Sequence, residues 1–105
     1  GHYENLKNQS VEVPEWGEDG NPLVIFYDPP TLHRRQKIER RAKGQEGLKM
    51  ALVVFECAKD ADGQRMFKPT DTASLNRLQT AVDPAVVARI AVTILNITDS
   101  SDLGN

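Results

Sequence analysis

Between residues 34 and 43 the chain carries Arg34, Arg35, Lys37, Arg40, Arg41 and Lys43 against one acid, Glu39. Six cations and one anion make +5, while the whole protein of 105 residues is −2, so the remainder carries −7. Cations at this density can grip phosphates, face an acidic protein surface, or sit solvated on a helix. Phosphate recognition asks for a basic footprint with base-stacking or groove-reading elements beside it. No aromatic residue interrupts this run, and a negative remainder repels a polyanion. Charge segregation of this kind suits head-to-tail association or a grip on an acidic protein.

Other candidates for chemistry are weaker. Asp60-Ala61-Asp62-Gly63 resembles the start of a calcium loop, but Arg65, Met66 and Phe67 stand where further oxygen ligands would be needed. An ordinary turn is expected there. His2 and His33 lack partners at metal-ligand spacing. Ser10, Ser74, Ser100 and Ser101 lie in no nucleophile elbow, and the glycines form neither a P-loop nor a dinucleotide fingerprint. Cys57 is the only cysteine, so no internal disulfide is open to it. Within "VVFECAK" it reads as a small buried apolar residue, which suits a reducing compartment. No catalytic, metal or cofactor site is expected.

The elements that position these residues can be read from apolar spacing and turn chemistry. Val11, Val13 and Trp16 are spaced along an extended stretch, and "PLVIFY" is rich in β-branched and aromatic residues. "GEDGN" between them is turn chemistry, so a hairpin is expected, with Pro14 forcing its strand to an edge. Such a hairpin is marginal alone and must be covered. Asp28-Pro29 reads as a helix start. The basic stretch that follows has only Leu32, Ile38 and Ala42 as apolar candidates, and Gly44 and Gly47 permit a break. Leu48, Ala51, Leu52 and Phe55 then fall on one helical face. Met66 and Phe67 are expected to pack back on the helices. Thr70 or Asp71 should cap a short helix to about Val82, with Ala73, Leu75, Leu78 and Val82 inward. Asp83-Pro84 opens a last helix, where Val87, Ile90, Ala91, Ile94 and Leu95 are regularly spaced and Val86, Val92 and Ile97 widen the surface. That helix is central in the fold or buried by a partner.

Hydrophobic residues make up 39% of the chain and charged residues 27%, the composition of one folded domain. No apolar run nears the roughly 20 residues of a membrane span. Gly1-His2 reads as an expression-tag scar, so residues 1–5 are expected to be tag remnant and flexible terminus, 6–98 the domain, and 99–105 a flexible polar tail. The expected fold class is α+β: an N-terminal β-hairpin followed by about four α-helices, mostly helical. A helical bundle with its first thirty residues disordered is the alternative.

The order of "VEVPEWGEDGNPLVIFYDPPTLHRRQKIERRA", an apolar helix, and "DADGQRMFKPTDTASLNRLQTAVDPAVVARIAVTILNIT" resembles the tail assembly chaperones of long-tailed (siphovirus-type) bacteriophages and prophages. That family shares a V-x-V-P-E-W-G strand, matched here by Val11 to Gly17. It also shares a D-x-D-G-x-x-x-F turn, matched by Asp60 to Phe67, and a last apolar helix ending near an asparagine, here Asn96. The resemblance covers about residues 6–98. It implies a non-catalytic protein of the host bacterial cytoplasm that binds the tape-measure protein and helps tail-tube protein polymerise around it. It also implies that the protein is not retained in the mature virion; the charge segregation, separately, predicts a concentration-dependent homo-oligomer, and no membrane partner is expected. Candidate partner-binding or self-assembly residues are Arg34, Arg35, Lys37, Arg40, Arg41, Val86, Ile90, Ile94 and Ile97. Reversing Arg34, Arg40 and Arg41 to glutamate is expected to weaken assembly without unfolding the domain. The competing reading is a small nucleic-acid-binding regulator using segment 34–43.

Overall fold

The computed structural model describes the backbone of residues 9–103 and the side chains of residues 9–95. Its elements are β1 (Gln9–Glu18), β2 (Asn21–Tyr27), α1 (Leu32–Ala42), α2 (Glu46–Cys57), α3 (Thr72–Thr80) and α4 (Pro84–Leu103). A hairpin followed by four helices is the expected α+β arrangement. The tag remnant assigned to residues 1–5 lies outside the described residues, as does the side chain of Ile97. Helix α4 itself continues to Leu103, beyond the domain end expected at residue 98. No single helix among the described residues is long and apolar enough to cross a membrane.

The strands pair antiparallel from Gln9↔Tyr27 to Val13↔Leu23, and again at Glu18↔Asn21. Between those points Pro14, Glu15, Trp16 and Gly17 on β1 face Pro22 alone on β2. This is a wide bulge, and it suits Pro14, which has no N–H to give to a ladder. Gly17 is required by close approach rather than by its dihedral angles. A Cβ at this position would lie 2.1 Å from the Asn21 carbonyl oxygen and 2.6 Å from the Pro22 Cα. The turn beyond uses Gly20 at φ 74°, a left-handed conformation that other residues adopt only with strain.

Helix α2 is the centre of the core. Every residue from Ala51 to Cys57 is buried, and so is Ala58 after it. It packs against α1, α3 and α4, and α4 in turn carries β1. The last helix is therefore central in the fold: Val86, Val87, Ile90, Ala91 and Ile94 are all buried, and among its described large hydrophobic residues Val92 is the exposed one. This corrects the use of Val86, Ile90 and Ile94 as a partner surface, since α2 and the hairpin already cover them.

Local chemistry sets the helix ends. Asp71 accepts from the Ser74 amide at 3.0 Å, and Asp83 accepts from the Ala85 amide at 2.9 Å, both as expected of caps. The basic helix differs, because its cap is Thr31, whose hydroxyl accepts from the Arg34 amide at 3.1 Å. Asp28 instead takes a 2.7 Å hydrogen bond from Lys59 Nζ. Left-handed Lys43 and Gly44 end α1, whereas Gly47 lies inside α2 and breaks nothing. On α3 the inward small residue is Ser74, while Ala73 is exposed. Lys59 pairs with Phe26 through two backbone hydrogen bonds of 2.9 and 2.7 Å, so the segment after α2 is stitched to β2. The Asp60 carboxylate closes the following turn, accepting from the amides of Asp62 and Gln64.

Gly17→Ala drives a methyl group into the β2 backbone, an overpacking that costs about 1–3 kcal/mol or more. Thermal melting should fall by roughly 5–20 °C for a domain of this size. Gly47→Ala, which meets open space, should leave the melt unchanged or slightly raised.

Candidate partner-binding surface

Helix α1 sorts its charges by face. Ile38 and Ala42 are its buried residues, a short apolar contact for a helix of 11 residues. Arg34 and Arg41 flank that contact at helical spacing and turn the same way. Arg34 Nη1 donates to Glu56 Oε1 at 3.1 Å, and Arg41 Nη1 donates to Glu56 Oε2 at 2.9 Å. Glu56, in the last turn of α2, is only 7% exposed. A second tie between the helices joins Lys49 Nζ and Glu39 at 2.7 Å.

The remaining polar surface of α1 and its C-cap is open. Lys37, Arg40 and Lys43 are exposed, and no described residue forms an ion pair with them. His33 is exposed beside them, and Leu32 at the start of the helix is 72% exposed. Arg35 is half-buried and engaged, so it does not belong to this free face. The structure thus splits the sequence-predicted basic residues into two groups. Arg34 and Arg41 hold the fold together, and Lys37 and Arg40 look outward. This corrects the triple reversal of Arg34, Arg40 and Arg41: two of its three sites would put carboxylates against buried Glu56.

Sequence reasoning did not find the bulge's function. Glu15 projects from it and takes a two-pronged hydrogen bond from Arg89 of α4, at 2.6 and 2.8 Å. The guanidinium hydrogen bonds pull the Glu15 carboxyl down from 4.5 to about 2. Trp16, the next residue, lines an open hollow of about 360 Å³ with Phe67, Ser74, Arg77, Leu78 and Val82. Arg77 is held at this hollow by the Ser74 hydroxyl, to which it donates at 3.0 Å, while Ser74 donates to Asp71 at 2.6 Å. Leu78 also borders a second groove of about 400 Å³, lined by Leu48, Met50, Pro84, Val87 and Ala88 among others. Two shallow apolar depressions therefore adjoin across α3. The V-P-E-W-G string was the available signal, but nothing in it points to Arg89.

The centre behind these surfaces is aromatic. Phe55 and Phe67 stack at 5.9 Å between centroids, and the Arg65 guanidinium lies 5.4 Å over the Phe55 ring. Arg65 also donates to the Phe55 carbonyl at 3.0 Å, satisfying an orphan acceptor at the end of α2. Burial is the largest influence on the neighbouring Cys57 thiol and pushes it up to about 11, so it stays protonated at neutral pH. Among the described residues no group of three or more His, Cys, Asp or Glu side chains could hold a metal ion. In comparisons with protein-family models, curated proteins and solved structures, nothing matches this chain.

Two outcomes follow from this geometry. Arg34→Glu with Arg41→Glu leaves Glu56 without its donors and adds repulsion. The loss should exceed roughly 1–3 kcal/mol, the cost of one buried unsatisfied group, although solvent at the half-exposed arginines screens part of the charge term. Chemical denaturation should show this loss, and Lys37→Glu with Arg40→Glu should melt like the wild type. The Glu15 carboxyl should titrate near pH 2 by carbon-detected NMR, and near 4.5 in Arg89→Met. Because the folded value is lowered, this contact stabilises the fold fully above about pH 4.5 and ceases to do so as pH falls through 2.

Proposed function

We propose that this chain is a non-catalytic tail assembly chaperone, which binds a tape-measure protein and promotes tail-tube assembly around it. The reading starts from the resemblance carried by Val11–Gly17, Asp60–Phe67 and the last apolar helix. The observation that carries it further is the inward use of Arg34 and Arg41. With those two arginines engaged on Glu56, the basic run offers a small outward face of Lys37, Arg40 and Lys43. Such a face suits an acidic protein surface better than a nucleic-acid backbone, which rewards many phosphate contacts at once.

The adjoining hollows at Trp16 and Met50 add the apolar part of the reading. A tape-measure protein is a long helical client that must be kept soluble without being locked in place. Shallow depressions lined by a tryptophan, a flexible methionine and aliphatic residues give adaptable contacts of modest strength. Several copies acting along one client would multiply those contacts by raising local concentration. On this reading the protein works in the host bacterial cytoplasm, self-associates, contacts the tail-tube protein as polymerisation begins, and is not retained in the mature virion.

Co-expression with the tape-measure protein of the same phage tests the reading. The wild type should raise the soluble fraction of that protein several-fold, and Trp16→Ala with Met50→Ala should lose most of the gain while staying folded. No improvement in solubility by the wild type would overturn the chaperone. Tight, strongly salt-dependent binding to random duplex DNA would favour the regulator instead.

A further inference from the structure

Two sets of opposite charge stand exposed and unpaired on separate elements. One lies on α1 and its C-cap, where Lys37, Arg40 and Lys43 are exposed. The other is the tip of the hairpin, where Glu18 and Asp19 are exposed, with Glu12 further along β1. None of these three acids makes an ion pair with a described residue. Within one copy no ion pair joins them: α1 packs on α2, while the hairpin packs on α4 through β1.

We propose that copies of this chain associate head to tail, with the hairpin tip of one copy seated on the outward face of α1 of the next. The proposal deepens the self-association in the reading above and rests on it only there. Lys37 and Arg40 are one helical turn apart, about 5–6 Å between Cβ atoms, a spacing that two adjacent carboxylates can meet. The tip is narrow, ending in Glu18, Asp19, Gly20 and Asn21, all exposed, so it can approach a helix face without steric conflict. The contact is heterologous: each copy keeps a free α1 face and a free tip, so the arrangement repeats into a ring or an open array. Charge dominates this interface, which makes it weak and sensitive to salt.

The experiment is sedimentation velocity of the full chain over a wide concentration range, at low salt and at 0.5 M sodium chloride. Wild type should grow in mass with concentration at low salt and fall back to monomer at high salt. Lys37→Glu with Arg40→Glu should weaken association at least tenfold, and Glu18→Lys with Asp19→Lys should do the same. All four substitutions in one chain restore complementarity with reversed signs and should restore association. Thermal melts establish that each variant is folded. A wild type that stays monomeric throughout overturns the proposal, as does association unaffected by either reversal or a four-substitution chain that fails to associate. If the wild type is monomeric but the α1 reversal abolishes tape-measure binding, the face belongs to an acidic client rather than to a second copy. Because client solubility is measured separately, failure of self-association leaves the chaperone reading to its own test.

Discussion

Glu56 sits almost buried in the last turn of α2, where its charge is unfavourable in two ways. Burial strips its water, and the carboxyl end of a helix already carries partial negative charge. No basic residue in that turn offsets it. The compensation comes from outside the helix, as Arg34 and Arg41 close on the two carboxylate oxygens and Arg65 caps the Phe55 carbonyl. This arrangement fixes how α1 lies. Its apolar contact is too small to orient a helix alone, with Ile38 and Ala42 the buried residues, so the paired arginines supply the register. The outward placement of Lys37, Arg40 and Lys43 is a direct consequence.

The hairpin is attached by a similar device. A two-stranded ribbon holds poorly in water, and here Val13, Ile25 and Tyr27 bury its inner face while Glu15 grips Arg89 on α4. The bulge makes both possible, because the extra residues swing Glu15 toward the helix and Trp16 toward α3. In each place a carboxylate on one element meets arginine on another, Glu56 in the interior and Glu15 at the surface. The buried case binds core to core, and the exposed one steers a loop that shapes a hollow. Both leave apolar surface open between helices.

Much of the architecture was legible in short-range chemistry. The hairpin followed from β-branched runs about a glycine-containing turn, the Asp83 cap followed from its position before helical periodicity, and Asp71 was one of two candidate caps with Thr70. Local signals misled where two residues could serve the same end. Asp28 and Thr31 both precede the basic helix, and Asp28 was claimed by Lys59 across the fold. Ser74 rather than Ala73 turned inward because its hydroxyl could bond Asp71 and Arg77. The broad apolar surface of α4 was legible, but its occupant was not, since periodicity cannot distinguish a helix covered by its own hairpin from one covered by a partner. The site was the least legible part. Arg34–Glu56 and Glu15–Arg89 join residues far apart in the chain, and six cations within ten residues look alike until one knows which way each points.

The central claim is that Arg34 and Arg41 are structural while Arg40 is free to meet a partner. Side-chain nitrogen NMR of the arginine guanidinium groups separates them, because rotation of the guanidinium slows when one of its Nη groups is held by a carboxylate, as in Arg34 and Arg41. Arg34 and Arg41 should show slow rotation and reduced hydrogen exchange, Arg40 should give fast averaged signals, and Glu56→Gln should release the first two. Equal, fast behaviour of all three arginines in the wild type would contradict the claim.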